Sequence, residues 1–72
     1  MKIMNKTYKK EDFVLNDTSP ELLEVWDSTD GKFYFSVSHT KDFHAYKVDE
    51  HGAHLLGIRR SVKETLALIN EQ

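Results

Sequence analysis

Four histidines, His39, His44, His51 and His54, fall within sixteen residues of one another, and neutral imidazole is the commonest transition-metal ligand. Asp42, Asp49 and Glu50 lie among them as oxygen donors. The spacing fits no zinc pattern, and there is no cysteine to offer a thiolate. The set therefore reads as exposed histidines at hairpin ends, with no metal and no cofactor expected. Covalent catalysis has no better footing. Serine, histidine and aspartate are all present, but a triad is defined by geometry and not by composition. Gly31, Gly52 and Gly57 stand apart, so there is no glycine-rich phosphate loop. A chain of 72 residues rarely encloses the dry pocket such chemistry needs. The sequence is read as non-enzymatic.

Charge is more informative than any catalytic set. Residues 1–10 carry Lys2, Lys6, Lys9 and Lys10 and no acid. Residues 11–30 carry Glu11, Asp12, Asp17, Glu21, Glu24, Asp27 and Asp30 and no base. From residue 31 onward the net charge is only +1, and the whole chain sums to −2. The acidic stretch serves solubility, or it docks a partner with a basic surface. Trp26 sits within it, and tryptophan anchors interfaces, although a lone Trp is more often core. Glu21, Glu24, Trp26, Asp27 and Asp30 are the candidate partner-binding residues. The alternative is a nucleic-acid contact made by Lys6, Lys9, Lys10, Arg59 and Arg60, with Tyr34 or Tyr46 stacking on bases. Arg59-Arg60 precedes a predicted helix, where cations oppose the helix dipole, so local helix stability does not explain the pair.

These residues must be held by some scaffold. Lys32 to Ser38 alternates strictly, with Phe33, Phe35 and Val37 on one face and Tyr34, Ser36 and Ser38 on the other; this is the clearest strand. Ser28-Thr29-Asp30-Gly31 before it reads as a hairpin turn, which makes 22–27 a strand. Ser19-Pro20-Glu21 competes as a helix start. Phe43 to Val48 is a further strand with His44, Tyr46 and Val48 on one face. Asp49-Glu50-His51-Gly52 is a tight turn, and Ala53 to Ile58 a last strand whose Leu55-Leu56 pair leaves its buried face open. Phe13-Val14-Leu15 is too short to assign, and Asn16 to Pro20 reads as a loop. Ser61-Val62-Lys63-Glu64 matches a capping box, opening a helix over 61–71 that places Val62, Thr65, Leu66 and Ile69 on one face with Leu68 at its edge. Phe33, Phe35, Val37, Leu66 and Ile69 are the predicted core. The order from Asp30-Gly31-Lys32 to Ile69 resembles, in topology alone, the arm-type DNA-binding domains of tyrosine integrases. Their sheets are strongly basic, unlike residues 31–72.

The expected fold is α+β: a three- to four-stranded antiparallel β-meander with one C-terminal α-helix packed on the sheet. Residues 1–72 read as a single small domain, with 1–10 a flexible or edge-strand basic tail. A domain this small buries only about 60% of its unfolded surface. Without disulfides, the remaining staples are a metal, a partner chain or packing alone. A single helix covers one sheet face, so the other, which carries Tyr34 together with Tyr46 or Trp26, is expected to be covered by the N-terminal segment or by a second chain, with a homodimer favoured. The lack of cysteine, signal peptide and membrane span points to the cytoplasm. Eight lysines against two arginines suit an AT-rich bacterium or its phage. The functional expectation is a protein-binding module of phage or mobile-element type that inhibits or regulates a host bacterial protein, with nucleic acid the lesser partner.

Overall fold

The computed structural model describes residues 7–19 and 22–72, and at 17–19, 22 and 23 the backbone alone. Five strands form one sheet in sequence order, β1 (Phe13–Ser19), β2 (Leu22–Ser28), β3 (Phe33–Ser38), β4 (Phe43–Asp49) and β5 (Gly52–Arg59), each antiparallel to the next. The helix α1 (Val62–Asn70) follows and packs across β4 and β5. The α+β meander with its C-terminal helix is as expected; the strand number is five, not three or four.

The additional strand is β1, and its residues explain why alternation did not reveal it. Its pairing with β2 shifts register between Leu15 and Asp17 and again between Asp17 and Ser19. The first shift puts an extra residue, Asn16, on β1, where it breaks the period of two and tolerates loop-type residues such as Asn16 and Asp17, whereas the second puts the extra residue on β2. Ser19 closes this strand, while Pro20 and Glu21, the rest of the competing helix start, lie outside the described residues. A further bulge opposite Ala45 and Tyr46 settles the Leu55-Leu56 pair. Gly57 pairs with Ala45 and Leu55 with Tyr46, so Leu56 is the extra residue and packs against the core, leaving Leu55 exposed.

The hairpin turns form where expected. Ser28 Oγ donates to Asp30 Oδ1 and accepts from the Lys32 and Phe33 amides, and Gly31 takes a φ of 76° that a side chain would disfavour. Ser61 caps α1 by accepting from the Glu64 amide at 3.1 Å. The Glu64 carboxylate returns to the Arg60 amide at 3.3 Å, so the predicted box closes one residue early.

One sheet face holds the core. Phe13, Phe33, Phe35, Val37 and Ala45 are buried there with Tyr8, Leu68 and Ile69. Leu66, expected inside, is only partly buried, and Leu68 takes its place. Gly57 accounts for the exchange. A Cβ added to it would stand 2.9 Å from Leu68 Cδ2, so the helix settles into the gap over Gly57 and Ala45 with the Leu68 edge of its stripe downward.

The helix is half of the cover. Tyr8 packs edge-on to Phe33 at 5.1 Å and against Phe13, and its backbone is clamped by Asn70, whose Oδ1 accepts from Tyr8 N at 2.7 Å while its Nδ2 donates to Tyr8 O at 3.0 Å. Residues 1–6 of the expected tail lie outside the described residues. The Tyr8 ring belongs to the core, where it fills the sheet end that so short a helix leaves bare.

Candidate functional site

The opposite face has no cover among the described residues. Cross-strand register arranges it in two rows. The first runs Val14, Asp27, Tyr34, Tyr46, Leu55 from β1 to β5. The second runs Val25, Ser36, His44, Ile58 from β2 to β5. Asn16 of the bulged β1 joins Val25, Asp27, Tyr34, Ser36, Ser38, His44 and Tyr46 in lining an open concavity of about 530 Å³. The sheet's twist and the bulges in the β1–β2 pair make the face concave.

The tyrosines form its wall. Tyr34 and Tyr46 are cross-strand partners with rings 4.7 Å apart and 16° from parallel. Burial holds the Tyr34 phenol above its ordinary pKa, with smaller contributions from Tyr46 and the Asp27 carboxylate. At the rim Val14, Leu55 and Ile58 are each about half exposed.

Asp27 differs from the other acids whose side chains are described. Asp12 accepts from the Lys9 amide, Glu24 from Trp26 Nε1, Asp42 from Thr40 Oγ1 and Asp49 from the His51 amide. Asp30 and Glu64 are bonded within their turns. Glu11, Glu50 and Glu71 are exposed to water. Asp27 is half-buried and, among the described residues, makes no side-chain hydrogen bond or ion pair. Ser36 and His44 share its face, but no hydrogen bond joins Ser36 to His44 or His44 to Asp27 among the described residues.

Of the four candidate partner-binding residues that are described, Glu24 and Trp26 meet on the covered side, while Asp27 and Asp30 stand apart from them. Trp26 is partly buried on the covered side, stacked 6.4 Å from Phe35, with the Lys10 ammonium 3.3 Å from its ring centroid. Its indole donates to Glu24 at 2.7 Å. Of the two alternatives expected beside Tyr34 on the open face, Tyr46 lies there and Trp26 does not, since Trp26 pairs with Phe35 and shares its side. Asp30 accepts from the Tyr8 hydroxyl at 2.5 Å and braces the β2–β3 turn. Among the described members of the set only Asp27 lines the recess; Glu21 lies outside the described residues. The candidate nucleic-acid contacts are likewise dispersed. Lys6 is outside the described residues, Lys9 is exposed beside the short 3-10 turn over Lys10–Asp12, and Lys10 lies over Trp26. Arg59 folds back onto the Ile58 carbonyl at 2.9 Å, and Arg60 Nε lies 3.4 Å from Asp42.

The histidines also separate. His39 is in the β3–β4 turn, His44 on the open face, His51 in the β4–β5 turn, and His54 beside Asp49 at 3.2 Å. Among the described residues no three His, Cys, Asp or Glu side chains gather to hold a metal ion, and no helix is long and apolar enough to cross a membrane. Residues missed as site residues at the sequence level, Asn16, Val25, Ser36, His44, Leu55 and Ile58, carried only a partial signal: alternation groups Tyr34 with Ser36 and His44 with Tyr46, but not across strands. The chain matches no family model, no curated protein and no solved structure.

Proposed function

We propose that this chain is a small non-enzymatic binding module that holds another protein against the open face of its sheet. One observation carries the reading. A solvated antiparallel face is normally polar, yet the two rows here place Val14, Val25, Tyr34, Tyr46, Leu55 and Ile58 outward and include no lysine or arginine. An apolar, aromatic concavity with a polar minority suits a partner's side chains. The same makeup argues against nucleic acid, because a phosphate backbone requires cations where this face offers a carboxylate. The lysine-rich usage supports a bacterial or phage setting, with the module acting there as an inhibitor or regulator in the cytoplasm.

The test is capture from nuclease-treated bacterial lysate by the immobilised chain, its open-face variant Tyr46→Glu and a control, Lys63→Glu, on the exposed side of α1. A discrete partner held by the parent and the control, and lost by Tyr46→Glu, is expected. Release by nuclease, or capture indifferent to Tyr46→Glu, overturns the reading. Sedimentation of the same proteins at high concentration reads the homodimer: a dimer dissociated by Tyr46→Glu would make a second copy the occupant of this face.

A further inference from the structure

We infer that the recess seats an arginine side chain of the partner protein, with Asp27 as its counter-charge and the Tyr34–Tyr46 pair as its wall. This rests on the open face being the docking surface and states what docks there.

The argument begins with Asp27. A carboxylate drawn partly out of water loses hydration and is offset by a hydrogen-bonded partner or a cation. The other acids whose side chains are described have such a partner or are exposed to water, whereas Asp27 has neither. No lysine or arginine lines the recess. Lys32, two residues from Tyr34 along the chain, forms no ion pair with Asp27, while Lys10 lies over Trp26 and Arg60 beside Asp42. The cation that completes the site is thus expected from another molecule.

The surroundings choose its shape. Asp27 is the cross-strand neighbour of Tyr34, and Tyr34 of Tyr46. An aromatic face attracts a cation, and a planar one stacks on it. A guanidinium does this while giving two parallel N–H groups to a carboxylate, which a lysine ammonium cannot do. Its remaining donors find acceptors in Ser36 and Asn16, which line the same recess.

The probe is a blocked Gly-Gly-Arg-Gly-Gly peptide, titrated into the 15N-labelled full chain beside its lysine and citrulline counterparts. Citrulline keeps the shape of arginine and removes the charge. Amide shifts are expected at Asp27, Tyr34, Ser36 and Tyr46. Binding should be several-fold tighter for arginine than for lysine, and absent for citrulline. Asp27→Asn should weaken the arginine peptide at least tenfold, and Tyr34→Leu should abolish the preference for arginine over lysine while leaving charge-driven binding. The citrulline comparison needs no variant, so a folding defect in either variant leaves the proposal falsifiable. Equal binding of citrulline in the recess overturns the arginine assignment but leaves the face a docking surface. Shifts confined to Glu24, Trp26 and Lys10 overturn both. Agmatine binding as tightly as the peptide would replace a protein's arginine by a small guanidinium compound and also overturn the inference.

Discussion

On β3, Phe33, Phe35 and Val37 enter an aromatic cluster beneath the helix and residues 8–12, while Tyr34 and Ser36 of the same strand turn to an open recess. β4 repeats the division with Ala45 against the core and Tyr46 against Tyr34. The two faces differ in what meets the side chains more than in how apolar they are. On the covered face the rings contact one another in tilted, edge-on and stacked pairs, Ala45 and Gly57 admit the helix, and a two-bond clamp from Asn70 ties down the segment that α1 does not cover. On the open face the stacked tyrosines have one another and little else. A sheet can thus present aromatic rows on both sides and spend only one on its own folding, which leaves the other for a partner.

The most direct way to break this contrast is to truncate one ring on each side. Phe35→Ala removes a side chain with no exposed surface and should cost about 3–5 kcal/mol. Tyr46→Ala should cost about 1 kcal/mol, the scale of one stacked pair. Urea unfolding reads both, and equal losses would show that the open face is packed as tightly as the covered one.

Alkaline pH probes the far end of the covered face. Burial, then the hydrogen bond to Asp30 and the charges of Asp30 and Asp12, push the Tyr8 phenol up to about 12. A folded-state pKa above the unfolded value of about 10 means the neutral phenol stabilises the fold. That contribution is complete below pH ~10 and is lost as pH rises towards 12. The loss should approach roughly 2–3 kcal/mol, from 1.36 kcal/mol per unit. Tyr34, also raised, loses stability in the same direction, so the measurement is the difference from Tyr8→Phe. Identical alkaline profiles for the two proteins would remove Tyr8 from the cover.

A smaller effect sharpens the account of how the helix seats. Gly57→Val drives methyl groups into Leu68 and should cost about 2 kcal/mol by overpacking. Adding Leu68→Ala should then cost less than it does in the parent, because the cavity and the excess volume coincide. A double-mutant cycle in thermal melts measures this coupling, and strict additivity would mean that α1 does not rest on Gly57.

Much of this fold is legible residue by residue. Ser61 and Glu64 announce the helix start, Ser28 to Gly31 the turn, and the alternation of β3 and β4 the two faces, because each is a local pattern written in the chain's own period. The bulges in β1 and β5 are not legible this way. An inserted residue cancels the period that would reveal the strand, so β1 reads as a loop and the Leu55-Leu56 pair as undecided. The candidate site is legible in pieces. Asp27 is marked by its acidic run, and Tyr34 and Tyr46 by alternation, but nothing in the linear order says that they adjoin.

By itself, then, the sequence determined the α+β class, the meander order from β2 onward, the helix and its cap, and the side of the sheet to which Phe35 and Tyr34 each belong, since all of these depend on neighbours fewer than about eight positions away. Tertiary structure decided the rest. Cross-strand register aligned Asp27 with Tyr34 and Tyr46 and carried Glu24 and Trp26 to the other side, dividing an acidic run that is continuous in the chain. The gap over Gly57 and Ala45 chose Leu68 over Leu66, because a helical stripe is wide enough to present either and only the shape of the surface beneath selects between them.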